Sequence, residues 1–286
     1  MIKFSIIIPH HKNPENLKEL LNSLKTRNNF EIIIVNNASN TNFSFLRNYP
    51  LKIKLLNLSK NKGFAGGVNA GLNVCTGEWI VITNDDVVFS KNFFKILNKL
   101  VETKKEIKVI APLVLNYYNK NVIDSCGIHY PLNCRPYNIG HGEKLSAEFL
   151  KERWVMGFTG ACAVIKREIL MKEKFDESFF CYFEDVDLSL RLYKKGIKTY
   201  FSPDLKVYHK EGSTISSNPG LKVFLISRNK IWTIYKNFSF FEILKRSPFI
   251  FWGLVQSAGY HFLISDKFLE FLTGTLSGFL YPLKVL

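Results

Sequence analysis

The sequence predicts an α/β fold: a mainly parallel sheet flanked by helices, followed by a C-terminal apolar helical tail. Three observations carry that prediction. Short apolar, β-branched runs recur at residues 4–9, 31–35, 51–56 and 79–83, each the length of a buried strand. Helical spacing of apolar residues lies between them, first at Leu17, Leu20, Leu21 and Leu24. The fourth run ends in Asn84, Asp85 and Asp86, and open α/β sheets bind ligands outside the carboxyl ends of their strands.

The elements follow in order. Residues 4–9 read as a buried strand, after which Asn13 supplies an N-cap and Pro14 the first helical position. Strands at 31–35 and 51–56 come next, then a helix from about 66 to 74 and the strand at 79–83. A helix near 92–101 and a strand at 109–115 follow. Residues 116–146 are rich in Tyr, Asn, Pro and Gly and read as irregular loops or a hairpin. Helical spacing returns at 184–195, with Asp187 placed four residues before Arg191 as a supporting pair. These elements divide the chain into a main domain, residues 1–230, and a helical segment, residues 231–286.

The tail changes character near Phe238. Residues 247–265 contain no Asp, Glu, Lys or Arg, and carry Phe249, Phe251, Trp252, Tyr260 and Phe262. Pro248, Gly253, Gln256, Gly259 and His261 weaken a reading as a membrane span. Flanking Lys245, Arg246 and Lys267 suit a segment lying on an anionic membrane surface. A core or homodimer-packing helix pair has the same periodicity and stays open as the plainer reading.

Composition narrows the function classes. Lys and Arg number 39 against 24 Asp and Glu, a formal charge of +15 that attracts nucleic acid, anionic membrane or a negatively charged metabolite. The basic residues are spread along the chain without a nucleic-acid-binding signature, so no nucleic acid partner is expected. Cys75, Cys126, Cys134, Cys162 and Cys181 are odd in number and form no C-x-x-C, which argues against a disulfide framework or zinc site and for a cytoplasmic setting. The first residues run straight into a strand without a signal-peptide pattern.

Four local motifs can carry chemistry. Gly63, Gly66, Gly67 and Gly71 gather at a helix start, where glycine admits close backbone approach and a helix N-terminus favours phosphate. Their spacing is neither G-x-G-x-x-G nor a P-loop, which disfavours a dinucleotide dehydrogenase. Asn84, Asp85 and Asp86 offer hard oxygen ligands suited to Mg2+ or Mn2+ on a diphosphate, although a strand-end turn explains the same residues. Glu184, Asp185 and Asp187 crowd a helix start behind Phe180, Cys181, Tyr182 and Phe183; they read either as capping or as a partly desolvated general base. His209 follows an apparent strand in the run 207–213 and is either structural or a metal donor.

In this order the motifs resemble family 2 glycosyltransferases of the GT-A fold, in the branch containing rhamnosyltransferases, over residues 4 to about 230. The resemblance implies a nucleotide-binding corner at Pro9, His10, His11 and Lys12, with His11 at the stacking position. It implies base reading by Asn37, in a segment where Asn36 replaces the usual Asp. Gly63, Gly67 and Asn69 match the nucleotide loop, and Asn84, Asp85 and Asp86 stand in for Asp-x-Asp. Asp86 is then the principal metal ligand, with His209 completing that site, while Asn84 and Asp85 touch ribose or diphosphate. Glu184 and Asp185 match the family's Glu-Asp pair, with Asp185 the catalytic base. Trp154, Gly157, Thr159 and Gly160 correspond to a donor-sugar and acceptor loop, alongside Glu184.

The function implied is inverting transfer of a sugar, rhamnose from dTDP-rhamnose as first choice, to a glycan or lipid-linked acceptor in cell-surface polysaccharide synthesis. The expected setting is peripheral, on the inner face of the cell membrane. A sugar-phosphate nucleotidyltransferase is the competing enzyme class, but it calls for a Gly-rich basic loop where this chain has Pro9, His10 and His11. A non-enzymatic basic binding protein is the third reading.

Overall fold

A computed structural model describes residues 3–24, 30–210 and 218–280. Glu211, Gly212 and Ser213 of the run after His209, and residues 281–286 of the tail, lie outside the described residues. Strands β1 (Phe4–His10), β2 (Phe30–Asn37), β3 (Ile53–Leu58) and β4 (Trp79–Thr83) pair in the order β4-β1-β2-β3, all parallel. Ile6 pairs with both Ile32 and Val81, which fixes the register at the centre.

Alternation of side chains explains why these strands read as unbroken apolar runs. Ile6, Ile8, Ile32, Ile34 and Val81 enter one core layer, while Ile7, Ile33, Val35, Ile80 and Ile82 enter the other. The first layer is closed by α1 (Pro14–Ser23) and α3 (Phe93–Thr103), which contribute Leu17, Leu20, Leu21, Phe93 and Leu97. The second is closed by α2 (Gly63–Leu72), α4 (Arg167–Lys172) and α5 (Glu184–Lys194), through Val68, Leu170 and Leu188. Pro14 opens α1 as expected, but Asn13 sits left-handed at φ 62° and its side chain caps nothing.

The far half of the sheet departs from the mainly parallel expectation. β11 (Cys162–Lys166) lies between β4 and β6 (Val109–Asn116), antiparallel to both, and β12 (Thr199–His209) then pairs parallel to β6. β10 (Arg153–Val155) and β5 (Val87–Phe89) run antiparallel to β12. Antiparallel insertion needs no crossover helix, so nothing in the helical periodicity announces it. Residues 116–146 hold β7 (Ile123–Ser125), antiparallel to β6, and a small hairpin of β8 (Ile128–His129) and β9 (Tyr137–Asn138).

One buried charge ties the parallel strands to the loop before β4. Glu31 accepts from the Ser5 hydroxyl at 2.8 Å, the Thr76 N–H at 2.6 Å and the Thr76 hydroxyl at 2.8 Å, and pairs with the Lys54 ammonium at 2.9 Å. Burial alone raises its pKa, but Lys54 and these donors outweigh that and hold it at about 2, below the ordinary 4.5. Glu31→Gln should therefore destabilise the fold by about 2–3 kcal/mol, read from urea midpoints. Because the folded pKa is depressed, the contribution is present above pH 4.5 and is lost as pH falls toward about 2.

Three helices finish the chain: α6 (Pro219–Asn237), α7 (Phe240–Leu263) and α8 (Phe268–Phe279). α6 runs through positions 230 and 231 without a break, and the Asn237 amide donates to Asp187 of α5 at 2.8 Å. The change of direction comes later, at Ser239, which forms a capping box with Glu242. α8 packs tightly on α6, with Gly274 against the Phe224 backbone and Gly278 against Ile231. Among the described residues no helix is long and apolar enough to cross a membrane.

Candidate active site

The carboxyl ends of β1, β2 and β4 open into a cavity of about 610 Å³, whose walls include Pro9, His11, Asn37, Asn84, Asp85 and Asp86. Its lining also includes Thr159, Gly160, Glu184 and Asp185, together with His209 and Asp124. Strand register places the histidine. β12 pairs with β5 so that His209 faces Val87, which sets the imidazole beside Asp86 at the start of that strand. His209 Nε2 lies 3.2 Å from Asp86 Oδ1, and Nδ1 lies 2.6 Å from Asp124 Oδ2. Burial pushes the imidazole pKa down, yet hydrogen bonds to Asp124 and Asp86 prevail and raise it to about 10.

The donor set bears on whether a divalent cation fits. Two ligands at right angles on an octahedral Mg2+ or Mn2+ lie about 3 Å apart, and Asp86 Oδ1 and His209 Nε2 are 3.2 Å apart. Asp124 holds the far nitrogen, as carboxylates do behind metal-bound histidines. Among the described residues no three His, Cys, Asp or Glu side chains converge into a complete cage. The arrangement would suit an ion that takes its remaining ligands from substrate oxygens and water, with Asp86 and His209 holding it once the ion displaces the Nε2 proton that the imidazole otherwise shares with Asp86.

Asp85 is committed elsewhere. Its Oδ2 lies 2.6 Å from Nδ1 of His10, a buried ring whose Nε2 reaches Thr41 at 2.9 Å. Burial pushes the Asp85 carboxyl up to about 6, with His10 pulling the other way. His11 has its Nδ1 2.9 Å from the Asn37 carbonyl. The Asn37 amide, expected to read a base, donates to Gly63 O at 2.8 Å and accepts from the Lys62 N–H at 2.8 Å. Half of its hydrogen-bonding capacity is thus used in shaping the loop.

The glycine loop also differs from expectation. α2 begins at Gly63 rather than about 66, and position 63 requires glycine: it has φ +68° and a Cβ there would lie 2.0 Å from the Phe180 carbonyl oxygen. Gly67 lies off the cavity, its Cα against the Pro9 ring. Asn69 is also outside the cavity wall, for its amide is engaged with the Phe175 backbone and Glu177. Trp154 and Gly157 fall outside as well. Trp154 is half-exposed on edge strand β10, packed against Tyr200, and Gly157 makes room for Ser189 of α5.

The segment before α5 is strained. Phe180, Tyr182 and Phe183 have φ of 67°, 66° and 69°, a region that side chains other than glycine seldom occupy. Asn229 of α6 holds it: its amide nitrogen lies 3.0, 2.9 and 2.7 Å from the carbonyls of Phe179, Cys181 and Tyr182. The segment delivers Glu184 and Asp185 to the cavity. Asp185 accepts from Gly160 N–H at 2.7 Å and Val186 N–H at 2.8 Å. Burial raises its pKa while those N–H groups oppose the rise. Glu184 is pushed well above the ordinary carboxylate range by burial and then by Asp185, and among the described residues its Oε2 has no hydrogen-bond partner. The stronger upward push falls on Glu184, while Asp185 keeps two backbone donors and the helix N-terminus, so of the two Asp185 gives up its proton more readily.

Motif reading places His10 in the corner but without its partner Asp85, and it passes over Asp124, which lines the cavity, and Asn229, which holds the segment before α5. Asp124 and Asn229 have no local signal, because their partners are 85 and about 50 residues away.

The profile of Glycosyl transferase family 2 matches residues 5–173, more than half of the chain. YwdF, an uncharacterized glycosyltransferase of Bacillus subtilis, is 33% identical over 135 residues, which cover 46% of this chain and 48% of that protein. The chain thus spans about half the length of that relative. The N-acetylglucosaminyl-diphospho-decaprenol L-rhamnosyltransferase of Mycobacterium tuberculosis is 25% identical over 248 residues, 73% of this chain and 79% of its own. Mannosyltransferase PcManGT from Pyrobaculum calidifontis, solved with GDP-Man and Mn2+, superposes with a TM-score of 0.61 at 14% identity over 97% of this chain and 87% of that one. At that identity the likeness is one of fold, a mixed α/β sheet of the GT-A kind. The chain belongs to glycosyl transferase family 2, and within it resembles rhamnosyltransferases.

Proposed function

We propose that the protein transfers a sugar, with inversion, from a nucleotide diphosphate donor to a hydroxyl of a glycan or lipid-linked acceptor in cell-surface polysaccharide synthesis. The observation that carries this reading is the meeting, in one cavity, of a buried Asp185 held by two backbone N–H groups with an Asp86–His209 pair able to hold a cation. Asp185 takes the proton of the acceptor hydroxyl as that oxygen attacks the anomeric carbon. Glu184, which burial pushes toward its neutral form, donates a hydrogen bond to a sugar hydroxyl rather than acting as a nucleophile. With Asp185 as the base and no carboxylate attacking the anomeric carbon, a single displacement follows, and the configuration inverts.

A Mg2+ or Mn2+ ion held by Asp86 and His209 would neutralise charge building on the leaving diphosphate. Asp124 fixes the His209 ring, and His10 fixes Asp85 at the next position. Asn84 and His11 line the donor side of the cavity, where they meet ribose and base. The donor favoured is dTDP-rhamnose, with uridine-diphosphate hexoses next, because the M. tuberculosis relative is named as a rhamnosyltransferase and a Shigella flexneri relative as the dTDP-rhamnosyl transferase RfbF. A thermal-shift series with dTDP-rhamnose, UDP-glucose and GDP-mannose, each with and without Mn2+, tests the reading. The true donor should raise Tm more with Mn2+ than without, by mass action. Equal, Mn2+-independent shifts for all three, or none, would overturn it.

A further inference from the structure

α7 is apolar on two faces, and only one is covered. Ile243, Ile250 and Leu254 pack into the cluster of Tyr130, Cys134 and Phe238, and Gly253 is buried against Arg135. Phe240, Leu244, Phe251, Trp252, Val255 and Phe262 are exposed, and at ~100° per residue they fall within ~120° of arc on the other side. Phe251 and Trp252 are 68% and 62% exposed. Apolar patches of this size on a folded chain mark an interaction surface.

The chemistry around the patch selects its occupant. Glu242 is the one acidic residue of α7, and it is tied into the capping box and lies off the exposed arc. Lys245 flanks the arc, while Arg246, beside it, donates to the carbonyls of Pro131 and Leu132. A second copy would set basic rim against basic rim between chains that each carry +15. Anionic headgroups complement that charge, and α7, though 24 residues long, is not apolar enough to cross a bilayer. The patch is also joined to the cavity. In the loop between β8 and β9, Asn133 and Arg135 rest on Gly253 of α7, while Pro136, Tyr137 and Asn138 line the cavity. From Arg135 to Tyr137 is ~7 Å of extended chain.

We propose that the exposed face of α7 lies in the headgroup boundary of an anionic bilayer and thereby brings the cavity mouth, through the loop between β8 and β9, to the lipid surface. The second clause, that a lipid-carried acceptor is presented there, rests on the transferase reading; the docking itself does not.

Co-sedimentation of the full chain with phosphatidylcholine vesicles, and with vesicles containing phosphatidylglycerol, tests it. Binding is expected to the anionic vesicles, and the double substitution Phe251→Ser, Trp252→Ser should lower the partition coefficient about tenfold or more. Lys245→Gln should lower it about fivefold, an effect that added salt removes. Brominated acyl chains should quench a fluorescence component that Trp252→Phe abolishes. Wild-type protein left in the supernatant overturns the proposal, as does a double variant that pellets like wild type. A concentration-dependent dimer that the double variant loses, with no vesicle binding, would assign the face to a second copy instead. Donor-induced thermal shifts on the same proteins keep the two readings apart: a folded variant that binds nucleotide sugar but not vesicles has lost docking alone.

Discussion

Asp185→Asn should lower the rate of sugar transfer by about a hundred- to ten-thousand-fold while leaving nucleotide-sugar binding near wild type. The substitution is nearly isosteric, and the amide oxygen still accepts from one of the two N–H groups, of Gly160 or Val186, that now hold the carboxylate. What is lost is the ability to take a proton. Single-turnover rates, with donor affinity measured separately by thermal shift, check this; near-normal transfer would remove Asp185 from the role. The wild-type pH profile supplies an independent reading. Burial raises the Asp185 pKa above its ordinary 3.8, and a base works only when deprotonated. The acid limb of kcat/KM should therefore fall with decreasing pH around a midpoint above 3.8. Glu184→Gln, which keeps the shape of a group that burial already pushes toward its neutral form, should cost far less.

The second large effect is expected at the other wall. Asp86→Ala should abolish the Mn2+-dependent part of donor stabilisation and reduce transfer by about a hundredfold or more, since charge neutralisation at a leaving group is worth several kcal/mol. Asp124→Asn is the graded companion. It leaves both proposed ligands in place but loosens the ring of His209, now fixed at 2.6 Å, and should weaken Mn2+ affinity about ten- to a hundredfold. Titrating Mn2+ into protein plus donor and following Tm measures both. If Asp86→Ala keeps the full Mn2+-dependent shift, the cation lies elsewhere.

What the sequence revealed follows from how far each signal reaches along the chain. β1, β2, β4 and β6 were legible because burial on both faces makes them unbroken apolar runs, and α1, α3 and α5 because their packed stripes repeat at helical spacing. β5, β8, β9 and β10 are two or three residues long, too short to show any period. β11 was hidden for another reason: its apolar run looks the same whichever way it is threaded, so the switch from parallel to antiparallel cannot be read from it. At the site, motif spacing found Asp86, Asp185 and His209, which the fold brings to one cavity. Trp154, Gly157, Gly67 and Asn69 lie outside that cavity's lining, where their side chains, or lack of them, meet packing partners. Asp124 was missed because only the β6–β7 pairing brings it to His209.

The strained run from Phe180 to Phe183 has a consequence for how this chain can be divided. Its backbone is kept in place by Asn229, and α5 behind it by Asn237, both on α6. α7 and α8 hang from the same helix, at Ser239 and along the Gly274 and Gly278 contacts. α6 is thus a shared spine: a force applied to the outer helices reaches the residues that hold the proton acceptor through one continuous rod. A cut before Asn237 would sever α6 from contacts that hold the segment before α5, and any partner that grips the outer helices holds the cavity by its frame.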